Sequence, residues 1–116
     1  MSSKFISQRF EIPVQHRLNI DHHSPRRHGH NLFVTVKVKS NQDDSLKLKL
    51  STWVESFKET FVSQDLEQFL PHPTTEQVLN YIVSNLQQSL NTFNIHEVQI
   101  QETSKNQFVW TNPKNH

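Results

Sequence analysis

The stretch HGHNLFVTVKVK, residues 28–39, decides the fold because apolar and polar side chains alternate along it. This period of two predicts a strand with one buried face, and His30 belongs to the apolar row. That row continues with Leu32, Val34, Val36 and Val38. The opposite face carries Phe33, Lys37 and Lys39, and it needs either water or a partner.

A second predicted strand precedes this one, because the even-numbered positions from Ile6 to Leu18 are mostly apolar. Pro13 has no backbone N–H, so we expect this strand to lie at a sheet edge or to bulge there. The segment Asn19–Arg27 has no period and predicts a connecting loop. If the two strands pair as a hairpin, the end of the first lies beside the start of the second.

Two helices are predicted in the middle of the chain. Asn41–Ser45 indicates a turn, and Ser51 or Thr52 is suited to cap a first helix. The apolar residues of that helix, at helical spacing, are Trp53, Val54, Phe57 and Phe61. Thr74 with Gln77 then matches a capping box. The apolar row of the second helix follows it: Val78, Leu79, Ile82, Val83, Leu86 and Leu90.

The C-terminal segment predicts a second hairpin. Val98, Ile100 and Glu102 alternate with polar residues, and the apolar run Phe108–Trp110 follows a short polar turn. The element order is therefore strand, strand, helix, helix, strand, strand, or ββααββ. It predicts one α+β domain over residues 1–116, a four-stranded antiparallel sheet with two helices on one face.

Composition narrows the class of protein. Only 33% of the residues are apolar, which is lean for a monomer of 116 residues and favours burial shared between subunits. The net charge of +1 is far from the basic balance of a nucleic-acid-binding surface, so we expect no nucleic-acid partner. No stretch approaches the ~18 apolar residues of a membrane span. We expect a soluble protein, with the cytoplasm as the default compartment, and cysteine is absent.

Three histidines form the main candidate for chemistry. His28 and His30 lie two apart at the start of a strand, so their side chains project to the same side. The predicted hairpin brings His16 close to them. Three neutral imidazoles suit Zn²⁺ and leave one coordination position open, as in catalytic zinc sites. The alternative is a polar surface rich in histidine, and His22 and His23 lie in the same loop.

Two carboxylates are weaker candidates. Glu102 ends the apolar row of its strand, where it is either exposed or buried against a ligand. If buried, its two oxygens would accept N–H groups from an amino-substituted heterocycle such as a pterin or guanine. Glu76 in the first turn of the second helix has a structural explanation, since a carboxylate there complements the helix dipole.

Four short motifs occur in order along the chain. They are Phe10-Glu11 followed by His16-Arg17-Leu18, then His28-Gly29-His30-Asn31, then Pro73-Thr74-Thr75-Glu76, and finally Gln101-Glu102-Thr103. Together they resemble the family of 6-pyruvoyltetrahydropterin synthase and 6-carboxytetrahydropterin synthase. The match runs from about Phe5 to Trp110, nearly the whole chain.

The resemblance implies the tunnelling fold, in which subunits join their sheets into an oligomeric barrel, usually a hexamer, with active sites between neighbours. It also implies site residues: His16, His28 and His30 as zinc ligands, Glu102 as the anchor of a pterin ring, and Thr75 and Glu76 near the same pocket. The family acts on dihydroneopterin triphosphate. There a base moves a proton, and triphosphate is eliminated or the side chain is cleaved.

The chain departs from this family at the residues that transfer protons. Ser24 occupies the position of a cysteine base in the carboxy-type enzymes, and a serine hydroxyl needs a base such as His22 or His23 to activate it. The family's Leu-Asp-His segment appears here as Leu66–Gln68, and glutamine cannot transfer a proton.

Three hypotheses remain open. The first is a zinc-dependent lyase with a rearranged base, for which His23, Ser24, Glu67 and His72 are the candidates. The second is a catalytically inactive homologue that binds zinc and a pterin. The third treats the histidines as unmetallated and the assembly itself as the function.

Overall fold

The predicted element order is confirmed. The computed structural model describes residues 4–18, 26–40, 44–63, 74–90, 95–102 and 106–114. Its elements are β1 (Lys4–Leu18), β2 (Arg26–Ser40), α1 (Asp44–Ser63), α2 (Thr75–Ser89), β3 (Ile95–Gln101) and β4 (Gln107–Thr111).

The four strands form one antiparallel sheet in the order β1-β2-β3-β4. β1 lies at one edge, which accommodates the missing N–H of Pro13 as the sequence predicts. The longest pairing joins β1 to β2, and its register continues without a shift from Lys4 opposite Ser40 to Leu18 opposite Arg26.

The core lies between one face of this sheet and the two helices. The alternation of β2 is confirmed, because Leu32, Val34, Val36 and Val38 are all buried. They pack in one cluster with apolar residues of β3 and of both helices, including Val98, Ile100, Phe57, Ile82 and Leu86. Burial of each such side chain contributes about 1.5–3 kcal/mol, so this face holds the layers together.

Asn112 fixes the start of β3, where the pairing with β2 is irregular. Lys37 lies opposite Glu97 but Val38 lies opposite Ile95, which leaves one extra residue in β3. Asn112 is only 3% exposed; its side-chain amide donates to the Ile95 carbonyl at 2.8 Å. The Asn112 backbone N–H donates to the His96 carbonyl at 3.1 Å. These bonds satisfy a buried polar side chain and anchor the irregular strand end.

Some element boundaries differ from the prediction. β2 begins at Arg26, so Arg27 belongs to the strand and not to the loop. Asp44 and Ser45, which were expected in a turn, belong to α1. Residues 19–25 of the predicted loop lie outside the described part of the chain.

The prediction that Ser51 or Thr52 caps α1 is wrong. α1 begins at Asp44, and both hydroxyl residues lie inside it. Leu46 and Leu50 are buried, which extends the apolar row towards the start of the helix. Burying two leucines is worth about 3–6 kcal/mol, whereas a hydroxyl cap is worth about 1 kcal/mol. Packing against the sheet therefore outweighs the local capping signal.

The second sheet face, away from the helices, carries cations over aromatic rings. The guanidinium carbon of Arg9 lies 4.8 Å from the centre of the Phe33 ring, and Lys37 Nζ lies 4.8 Å from the centre of the Phe5 ring. Such contacts cover part of the apolar surface and keep the charges in water. Neither helix of the described residues is long and apolar enough to cross a membrane.

The extended start of α1 can be tested with two leucines one helical half-turn apart. We expect Leu46→Ala to lower the free energy of unfolding by about 2–5 kcal/mol, because it leaves a cavity under the helix. Leu48 is 70% exposed, and Leu48→Ala should change that free energy by no more than about 0.5 kcal/mol. Urea denaturation followed by circular dichroism measures both, and equal effects would contradict the assignment.

Candidate functional site

The paired ends of β1 and β2 bring the backbone of the three candidate histidines together. His16 lies directly opposite His28, and His30 lies opposite Val14 in the same continuous register. Directly opposed residues of an antiparallel pair have their Cα atoms about 4.5–5.5 Å apart. His28 and His30 also share the even-numbered positions of β2 with Leu32, which is buried under the helices. The hairpin that the sequence predicts for these histidines is confirmed at the level of the backbone.

The side chains of His16, His28 and His30 lie outside the described part of the structure. Among the side chains that it does describe, no group of three or more His, Cys, Asp or Glu residues could hold a metal ion. Zinc binding by the three histidines therefore stays a prediction that the strand register accommodates.

The pairing of β2 with β3 brings Glu102 to the same end of the sheet. Gln101 lies opposite Phe33, and Glu102 follows it directly at the end of β3. His30 precedes Phe33 by three positions on β2, a distance of about 10 Å along the strand. The histidine positions and Glu102 thus lie at one end of three adjacent strands, β1, β2 and β3.

Glu102 is half-buried and is held by two elements. Its backbone N–H donates to the carbonyl of Asn106, the residue before β4, at 3.2 Å. Thr75 Oγ1 donates to Glu102 Oε2 at 2.8 Å. The sequence left open whether Glu102 is exposed or buried. In the structure it is partly buried, and its carboxylate accepts a hydrogen bond from a hydroxyl group.

A capping box fixes the position of Thr75, the first residue of α2. The Gln77 N–H donates to Thr74 Oγ1 at 3.1 Å, and the Thr74 N–H donates to Gln77 Oε1 at 3.2 Å. This confirms the predicted cap. Glu76 is exposed in the first turn of α2, where its charge complements the helix dipole.

The Glu102 carboxylate lies at the N-terminal end of α2. This is the positive end of the helix dipole, and the carboxylate accepts a hydrogen bond from a hydroxyl there. An ionised carboxylate accepts several hydrogen bonds at once. This arrangement can bind N–H donors of a polar ligand while Thr75 keeps the group oriented.

The candidate proton-transfer residues lie outside the described residues. Ser24, His22 and His23 belong to the segment 19–25, and Glu67 and His72 belong to the segment 64–73. Their assignment stays a prediction.

A cleft that the sequence does not predict lies between α1 and α2. It has a volume of about 240 Å³ and is lined by Trp53, Ser56, Phe57, Thr60, Phe61, Tyr81, Asn85 and Ser89. Trp53 Nε1 donates to Asn85 Oδ1 at 2.9 Å across it. Among these lining residues there is no carboxylate, imidazole or thiol, so they offer none of the usual protein ligands of zinc. The sheet end with Glu102 is therefore the candidate site.

Comparison with known proteins gives one family and one fold. The family model described as 6-pyruvoyl tetrahydropterin synthase matches residues 5–113. The structure of 6-pyruvoyl tetrahydropterin synthase from Caenorhabditis elegans superposes with a TM-score of 0.73 at 21% sequence identity, covering 96% of both chains. The enzyme from Plasmodium falciparum gives a TM-score of 0.61 at 18% identity, covering 95% of this chain and 98% of the other. A search of curated proteins found no match.

Proposed function

The chain belongs to the 6-pyruvoyl tetrahydropterin synthase family, and on that premise we propose that it is a zinc-dependent lyase acting on dihydroneopterin triphosphate or a related pterin. The observation that carries this proposal is the arrangement of the sheet end. There the β1–β2 register pairs His16 with His28, and the β2–β3 pairing adds Glu102 beside them.

Zinc is the cofactor that this donor set suits. Two of the three imidazoles come from strand positions directly opposite each other, and cross-strand neighbours on one face approach closely enough to share an ion. Neutral imidazole is a common zinc ligand, and three protein ligands leave an open position. A zinc ion bound there would polarise an oxygen of the substrate side chain.

Glu102 is the residue that we propose for binding the pterin ring. A carboxylate meets the two N–H groups on the amino-substituted edge of such a ring with matched geometry. Its partial burial strengthens these hydrogen bonds, because water competes less for the carboxylate. Thr75 contributes to the same pocket, and Glu76 lies beside it in the sequence.

The proton-transfer residue is proposed from the sequence alone. In the sequence, Ser24 and His23 lie between the two histidine-bearing strands, and Glu67 precedes α2. Ser24 and Gln68 replace residues that move protons in the family. The assay of zinc content and turnover described below therefore also tests a second function. In it, the protein binds zinc and a pterin without turnover.

The edges of the sheet support assembly with further copies of this chain. β4 forms one edge, and neither lysine nor proline, residues that protect edge strands, occurs in it. Phe108 is 39% exposed and Val109 is 46% exposed on this strand. Pairing of β4 with β1 of a neighbour would cover part of both side chains and would add burial to a chain of lean apolar composition. We propose a homo-oligomer of this kind, a hexamer by resemblance to the family.

We expect the purified protein to contain one zinc ion per subunit and to convert dihydroneopterin triphosphate with release of triphosphate. Elemental analysis by mass spectrometry measures the metal, and chromatography with mass spectrometry identifies the products. Zinc and tight pterin binding without product would support the binding function instead. Protein that stays metal-free after zinc addition would exclude both.

His28→Ala should abolish zinc binding, because it removes one of three ligands, while the far-ultraviolet circular dichroism stays that of the wild type. His96→Ala is the matched control. His96 lies on β3 with its ring 4.6 Å from that of Phe5, and its loss should leave the zinc content unchanged. Retention of zinc in His28→Ala would show that the ligand assignment is wrong.

Val109→Lys should lower the molar mass measured by size-exclusion chromatography with light scattering, because a lysine on an edge strand opposes pairing. The matched control is Leu48→Lys, which also replaces an exposed apolar residue with lysine but lies on α1. This variant should leave the molar mass unchanged. A wild-type mass for Val109→Lys would count against assembly through β4.

A further inference from the structure

The hydrogen bond from Thr75 to Glu102 joins the first residue of α2 to the end of β3. From it we infer that Thr75 is a positioning residue, which orients the Glu102 carboxylate and so affects ring binding through that carboxylate. Because this role presumes that Glu102 binds a pterin ring, it rests on the proposed function.

Glu102 is constrained at its backbone and at its side chain. The backbone bond to Asn106 fixes where the residue emerges from the sheet, and the 2.8 Å bond from Thr75 fixes one carboxylate oxygen. A glutamate side chain has several rotatable bonds, and ordering it on binding costs conformational entropy. The bond from Thr75 removes part of that cost before a ligand arrives.

Thr75 itself is held firmly enough for this role. It follows the capping box of Thr74 and Gln77, which fixes the first turn of α2. The Val78 N–H also donates to the Thr74 carbonyl at 3.0 Å, so the helix is hydrogen-bonded from its first turn. The hydroxyl therefore approaches Glu102 from a rigid element, and a displaced carboxylate would lose the bond.

Action through Glu102 differs from direct contact with the ring in one measurable way. Two residues that act through a single group have non-additive effects, whereas independent contacts add. If Thr75 serves only to orient the carboxylate, its loss should matter when Glu102 is present and should have little effect when Glu102 has lost its charge.

The test measures binding of 2-amino-4-oxopteridine to the full-length, zinc-loaded protein by fluorescence titration. We expect Thr75→Val to raise the dissociation constant by up to about tenfold, because the Glu102 side chain must then be ordered when the ligand binds. Thr75→Ser keeps the hydroxyl and should restore binding to within about threefold of the wild type. In a Glu102→Gln background, adding Thr75→Val should change the constant by less than about twofold.

A second probe, 2,4-dioxopteridine, lacks the amino group. Its binding should be less sensitive to Thr75→Val, because the oriented carboxylate has one N–H donor fewer to meet. Thermal melting and light scattering check that each variant folds and assembles, and Thr75→Ala replaces Thr75→Val if the valine variant does not fold.

Additive effects of the two substitutions would overturn the inference and assign Thr75 a contact with the ring itself. An unchanged dissociation constant in Thr75→Val would also overturn it. Failure of the wild-type protein to bind 2-amino-4-oxopteridine would overturn the proposed function as well. Titration of the wild-type protein comes first, so this outcome is distinguished from a failure of the inference about Thr75.

Discussion

A slip of one residue in the register between β1 and β2 would move Leu32, Val34 and Val36 from the core to the open face of the sheet, because side chains alternate with a period of two. The core excludes that slip, since these valines and the leucine are buried under the helices. The same register sets His16 opposite His28. Packing at one end of the hairpin therefore fixes which positions of β1 and β2, the candidate metal ligands among them, lie opposite each other at the other end.

The remaining part of the candidate site depends on α2. Its first turn is fixed by a capping box, and its apolar row packs on β3 and β4 within the core cluster. Thr75 and Glu102 meet because both the helix and the hairpin are anchored by that packing. The hydrogen bond contributes little to stability next to the buried side chains, but it sets the direction of the carboxylate. Within the same elements, buried apolar side chains stabilise the fold, whereas polar side chains such as Thr75 and Glu102 form the candidate site.

Local patterns predicted most of the fold. The alternation of residues 28–39 predicts β2, and Thr74 with Gln77 predicts the start of α2, because each signal arises within a few residues. The start of α1 was missed, since the burial of Leu46 depends on a sheet elsewhere in the chain. Pairing of β2 with β3 was not predictable from local pattern either. It joins strands on either side of both helices, and that pairing is what brings Glu102 towards the histidine positions.

The central position of β2 has a consequence for folding during synthesis. β1 and β2 are adjacent in sequence and can pair as soon as both have left the ribosome, but the second edge of β2 is filled by β3, which is made after both helices. Until then a long strand rich in valine exposes unpaired backbone groups, the state in which chains associate wrongly. Lys37 and Lys39 place positive charge on its open face, and like charges of this kind oppose association between two such chains.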